Sequence, residues 1–247
     1  LRINHLGEIS YSKKGTPMKI IRYVNTSDLT IEFQDEYKVR RETTYGNFNK
    51  GQVKNPYDRT VCEVGYIGEG KYTTGGKDYR TKQYAVWEDM MYRCYKEKDR
   101  HLHPAYENCT VCEEWHNYQT FGKWYDENFY TVKDSRTHLD KDILFKDNKL
   151  YSPTTCVFVP QRINMVFMKK NRTVDSDLPN GIHRCVTGFS AQYINKSLGV
   201  YKTLDEALLY YNIEKQLHIS KLANEYKNII PPELYNALIN WNKQLVA

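Results

Sequence analysis

The spacing of apolar residues changes period along this chain, and no architecture built from one kind of element accommodates that. In MKIIRYVN (18–25) and DLTIEFQD (28–35) apolar and polar residues alternate, with Ile20, Tyr23, Ile31 and Phe33 as apolar positions. Alternation marks half-buried strands. EYKVRRETTY continues the pattern, while Gly15-Thr16-Pro17, Gly46, Gly51, Asn55-Pro56 and the GYIGEG run supply turns. The first 79 residues therefore predict a small twisted sheet or partial barrel of about five strands. The period then becomes helical. Trp87, Met90, Met91 and Cys94 sit at i, i+3, i+4 and i+7, and Tyr118, Phe121, Tyr125 and Phe129 repeat in the same way. Between them HLHPAYENCTVCEEW predicts a loop closed by Pro104.

From residue 133 the chain reads as strand, polar turn and strand, then a short helix in QRINMVFMKKN. After the break VDSDLPNG (174–181), three short runs predict a three-stranded sheet. Thr203-Leu204-Asp205-Glu206 is a capping box that opens a helix with Leu204, Ala207, Leu208 and Tyr211 on its buried face. A second helical stretch carries Ile219, Leu222, Ala223 and Tyr226. Pro231-Pro232 starts a last helix with Leu234, Leu238, Trp241 and Leu245 on one side. The fold class expected is α+β, in three small modules: 1–79, 80–172 and 173–247.

With 40% hydrophobic residues, the 247-residue chain has enough apolar side chains for packed cores. No run approaches the ~18 apolar residues of a membrane helix, so no membrane partner is expected. The start, LRINHLGEIS, has no apolar signal core. Six cysteines in a chain this long do not make a secreted disulfide scaffold, which points to a reducing cytoplasm. The net charge of +6 is concentrated: residues 1–83 hold 15 Lys and Arg against 10 Asp and Glu. That third is the electrostatic candidate for a polyanion. Its Arg40 and Arg41, with Lys13, Lys14, Lys50 and Lys54, are placed to track phosphates.

The densest polar cluster is HLDKDILFKDNKLYSPTTCVFVPQRIN. If the strand runs through it, His138, Asp140 and Asp142 project from one face. Adjacent carboxylates repel unless a cation joins them, and Mg²⁺ takes hard oxygen ligands of this kind. A His beside such an ion can activate water. A solvated turn rich in Asp, Lys and Asn reads the same way from spacing alone.

The ordered anchors RCY (93–95), CTVCEEW (109–115), LDKD, YSPTTC-VFVP and a following Asn resemble bacteriophage relatives of the HNH (ββα-metal) homing endonucleases, over about residues 80–168. The resemblance implies a hairpin and helix holding one divalent cation and cutting a DNA strand. It puts Asp140 where the family carries its general-base His, Asp142 at the following acid, Thr155 at the central Asn and Asn164 at the last metal ligand. The base is then Asp140 or, two residues earlier on the same face, His138. Asn148 either orients that base or makes the turn. Asp142 and Asn164 are the expected Mg²⁺ ligands.

Cys109-x2-Cys112 is half of a zinc site that Cys94 and Cys156, or His116, would complete. The alternative is separate buried thiols. NGIHRCVTGFSAQYINKSLGVYKTLDEAL resembles an Apetala-two-type DNA-binding domain, whose sheet lies in the major groove. That implies contacts to double-stranded DNA from His183, Arg184, Gln192, Tyr193, Lys196 and Lys202, Arg reading G and Gln reading A. The function expected is therefore a phage-encoded, DNA-binding HNH-like endonuclease acting in the cytoplasm of a bacterial host. The alternative is a catalytically degenerate relative that binds DNA or a host protein as a regulator or anti-defence inhibitor.

Overall fold

The computed structural model describes residues 4–96, 106–133, 135–168 and 177–241. The expected loop closure at Pro104, the junction at 171–176 and Leu245 lie outside them. The described residues form an α+β fold of several small sheets and six α-helices. The chain divides into two compact units, one ending at Glu127 and one starting at Asn128. The first expected module and residues 80–127 of the second fall in the first unit. Residues 128–172 and the third module fall in the second.

In the first unit β1 (Ile9–Tyr11), β2 (Pro17–Asn25), β3 (Asp28–Phe33) and β4 (Arg40–Thr43) form an antiparallel sheet in sequence order. Its register pairs Met18 with Phe33 and Ile20 with Ile31. Cross-strand partners point to the same side, so these four side chains share one face with Leu29, Val39 and Phe48, all buried. The sheet has four strands where about five were expected. After β4 the Thr44 hydroxyl accepts from the Asn47 N–H and starts the short helix α1 (Tyr45–Asn49) instead. Gly51 follows at φ +64, its Cα so close to the Tyr11 carbonyl that a Cβ would fall 2.5 Å from that oxygen.

Thr81 caps α2 (Lys82–Tyr95), and the face read from the sequence, Trp87, Met90, Met91 and Cys94, is the buried one. The Trp87 indole donates to the Trp115 carbonyl at 2.7 Å. Beyond β5 (Thr110–Val111) and a 3₁₀ turn at Glu113–His116 comes α3 (Tyr118–Asn128), with Tyr118, Phe121 and Tyr125 buried as expected. The helix stops before Phe129. Gln119 donates from one amide to the carbonyls of Ile67 and Tyr72, tying down the glycine-rich loop.

The second unit opens with β6 (Thr137–Asp140), continues through β7 (Leu150–Tyr151) and returns as β8 (Val157–Pro160), antiparallel to β6. Helix α4 (Gln161–Phe167) follows β8 without a linker. Next come β9 (Ile182–Cys185), β10 (Gly188–Tyr193) and β11 (Lys196–Tyr201), the expected three-stranded sheet with β10 central. The Thr203–Glu206 capping box forms. The two helical stretches expected after it are one continuous helix, α5 (Leu204–Tyr226), followed by α6 (Pro232–Ile239). The N-terminal part of α5 packs on the sheet through Ala207, Leu204, Leu208 and Tyr211. Its C-terminal part joins a different core, in which Ile219, Leu222, Ala223 and Tyr226 meet Val157, Val159, Ile163, Leu234 and Leu238. The hairpin and α4 are thus roofed by the last two helices.

Candidate active site and nucleic-acid interface

The register of the hairpin sets its chemistry. His138 pairs with Val159 and Asp140 with Val157. Both valines lie in the core that includes Ile163 of α4, so His138 and Asp140 project on the side of the hairpin that α4 covers. Leu139 and Phe158 take the other face, where Phe129 meets Phe158 edge-on at 5.2 Å.

The strand does not reach Asp142. It ends at Asp140, whose Oδ1 accepts the backbone N–H groups of Asp142 at 3.0 Å and Ile143 at 2.8 Å. An aspartate that binds the backbone two residues on replaces the ladder with a turn. Asp142 therefore stands in the turn, half-exposed, instead of on the strand face with His138 and Asp140. The turn still keeps the two aspartates together, through the 3.0 Å bond from the Asp142 N–H to Asp140 Oδ1. Burial first, and the neighbouring Asp142 charge second, push Asp140 up to about 6, against the pull of the two backbone N–H donors.

The counter-charge is Lys141, which sequence reasoning missed. Its side chain is buried, and Nζ reaches Asp142 Oδ2 at 3.2 Å and the Asn148 carbonyl at 2.9 Å. The only sequence signal for it is its position between two aspartates. Asn148 bonds across the turn. Its amide donates to the carbonyls of Lys141 and Leu150, both at 2.7 Å, and it accepts from the Leu150 N–H. It closes the turn; none of these bonds goes to His138. Thr155, at the position of the family's central Asn, donates to the Leu150 carbonyl at 2.7 Å. Asn164 is half-buried on α4, the helix that packs on both strands of the hairpin. The structure thus joins Asp140 to Asp142, sets His138 on the face shared with Asp140, and carries Asn164 on the helix over that face.

Among the described residues no three His, Cys, Asp or Glu side chains are grouped to hold a metal ion. Cys94 and Cys109 are buried in the first unit, Cys112 half-buried there, and Cys156 buried in the second. Burial pushes the Cys112 thiol up. Carboxylate oxygens such as those of Asp140 and Asp142 are the donor type that a hard cation such as Mg²⁺ takes.

The expected DNA-contacting residues do not share one surface. Adjacent residues on a strand point to opposite faces, so His183 and Arg184 separate, as do Gln192 and Tyr193. Tyr193 is a core residue. It is buried, its hydroxyl hydrogen-bonds His218 Nδ1 at 2.8 Å, and its ring meets Tyr211 edge-on. Arg184 pairs with Phe189 of the helix-packed face and lies 5.8 Å over that ring, with its guanidinium 2.6 Å from Asp177. Opposite, His183, Ser190 and Val200 form one row across the open face, with Gln192 beyond the bulge after Ala191. Lys202 is exposed just before α5. Lys196 pairs with Glu214 at 2.8 Å. In the first unit Arg40 pairs with Glu32 and Arg41 with Glu69. The acidic partners of these four cations were not anticipated.

Among the described residues no helix is long and apolar enough to cross a membrane. Comparison with protein-family models, curated proteins and solved structures finds no match.

Proposed function

We propose that this chain is a metal-dependent DNA endonuclease of the HNH-like kind, hydrolysing one phosphodiester per site with one divalent cation, Mg²⁺ being the first candidate. The observation that carries the reading is the Asp140–Asp142 pair, tied by the Asp142 N–H to Asp140 Oδ1 bond, at the end of a β-hairpin that runs directly into a helix. Burying Asp140 beside the half-exposed Asp142 carboxylate is costly without a cation, and Lys141 supplies one positive charge for the two.

A cation bound there supplies Lewis acidity at a phosphate oxygen and balances the alkoxide that leaves. The chain's own groups divide the remaining work. Asp140 spends Oδ1 on the turn and positions Asp142. Asp142, the more open carboxylate, and Asn164 are the ligands. His138 is the base that takes a proton from water. The open face of the β9–β11 sheet, with His183 and Gln192, and exposed Lys202 hold the duplex. This reading implies the cytoplasm of a bacterial host.

The test is supercoiled plasmid at low salt with Mg²⁺ or with EDTA. Metal-dependent nicking is expected, and loss of it in His138→Ala, Asp142→Ala and Asn164→Ala. Absence of nicking with both Mg²⁺ and Mn²⁺ would overturn the reading.

A second reading has its own support. Arg40, Arg41, Arg184 and Lys196 all face acidic partners, which lowers the positive field a duplex would feel. A non-catalytic binder would then shift DNA without cutting it. If it failed to bind DNA even at low salt, its target would be a host protein.

A further inference from the structure

Helix α5 buries one side in two cores and leaves the other uncovered. Leu209, Ile213 and Leu217 stand on that outer side, 58%, 44% and 61% exposed. They are spaced four apart, so they form one ridge along the helix. Tyr210 widens it beside Leu209, held there by stacking on Tyr201 at 4.6 Å. Asp205 and Glu206 lie exposed at the N-terminal end of the ridge, and Lys221 lies exposed four residues beyond Leu217. A large apolar stripe on a helix bounded by charges of opposite sign at its two ends is a pattern that calls for a specific partner.

The order of residues names the partner. Read outward from Ile213, the ridge is leucine, then charge, in both directions. Leu209 and Leu217 are each four residues away, and Asp205 and Lys221 each eight. Along the row Asp205, Leu209, Ile213, Leu217, Lys221 the apolar residues are palindromic and the end charges antisymmetric. Two copies laid antiparallel about a two-fold axis through Ile213 would set Ile213 on Ile213, Leu209 on Leu217 and Asp205 near Lys221, twice over. A parallel pairing would set Asp205 on Asp205 and Lys221 on Lys221. An isologous contact needs this self-complementarity, and an unrelated partner would not impose it.

We propose that the outer face of α5 is the contact between two copies of this chain, arranged antiparallel about Ile213. The stripe is smaller than the ~800 Å² per partner of a standard stable interface, so the dimer is a weak one that forms with concentration. The proposal rests on α5 alone and stands whether or not the hairpin cuts DNA.

Sedimentation equilibrium of the full chain, from about 1 to 300 µM, tests it. Wild type is expected to pass from monomer to dimer over that range. Ile213→Glu places two carboxylates on the axis and should weaken association at least about tenfold. Asp205→Lys and Lys221→Asp should each weaken it, and the double variant should recover most of the loss. Circular dichroism verifies that each variant keeps its helix. A chain that stays monomeric throughout would overturn the proposal. So would an association indifferent to Ile213→Glu, or a double charge swap that fails to restore it.

Discussion

Replacing Asp140 by Asn should make the protein more stable, and only above a certain pH. In the unfolded chain the Asp140 proton leaves at the ordinary value of ~3.9. In the folded chain burial and Asp142 hold it to about 6. Between those two values the folded state binds more protons than the unfolded one. Stability therefore falls as pH rises through that window, and the loss persists above it. The shift is roughly two units at ~1.4 kcal/mol each, so Asp140 costs the folded state up to about 3 kcal/mol at pH 8. Asparagine carries no charge, and its Oδ1 can still accept the N–H groups of Asp142 and Ile143. The variant should match wild type near pH 4 and exceed it at pH 8. In a chain of this size that is a Tm rise of roughly 5–10 °C. Urea unfolding at pH 4, 5, 6 and 8, followed by circular dichroism, measures it. Asp142→Asn removes the second cause but also the carboxylate paired with buried Lys141, so its gain should be smaller than that of Asp140→Asn. Mg²⁺ at about a hundred times its Kd should stabilise wild type at pH 8 by ~2.7 kcal/mol and leave Asp142→Ala nearly unmoved. A gain that is equal at every pH, or a loss at pH 8, would refute the argument that a strained charge resides there.

Asn148→Ala removes two 2.7 Å donations that close the same turn. It should cost about 1–3 kcal/mol by urea unfolding, with metal-dependent stabilisation lost as the carboxyls separate. Thr203→Ala breaks the capping box of α5 and should cost ~1 kcal/mol. His218 is held below the ordinary histidine value, first by burial and then by Arg162. The folded state thus binds fewer protons there, and stability should fall as pH drops below ~6.5. His218→Gln keeps an acceptor for the Tyr193 hydroxyl, and thermal melts at pH 7.5 and 5 should show that part of the fall flattened.

Elements whose signal is local were legible in the sequence. The α2 face follows from four apolar residues at helical spacing, and the start of α5 from a capping box, because each depends only on neighbours three or four residues apart. The continuity of α5 was hidden. Gln216 interrupts the apolar face, yet its amide donates to the carbonyls of Leu238 and Ile239 at the end of α6. A polar residue there satisfies another helix's terminus, which a single sequence does not display. The candidate site was half legible. Asp140, Asp142 and His138 are visible as a cluster, but placing Asp142 on the strand assumed that the ladder continued. The side chain of Asp140 ends it by taking the next N–H groups for itself. Tyr193 and Gln192 were set on one surface although strand geometry alone separates them. The acidic partners of Arg41 and Lys196 lie 28 and 18 residues away, beyond any short-range reading.

One rod carries both the C-terminal sheet and the roof of the hairpin. Its 23 residues span about 34 Å, and each residue added or removed between Tyr211 and Ile219 would turn everything downstream by ~100°. Loops can lengthen without consequence; this stretch cannot. The β9–β11 sheet is thereby held at a set bearing and offset from Asp140 and Asp142, and the ruler that fixes that offset is the length of a single helix.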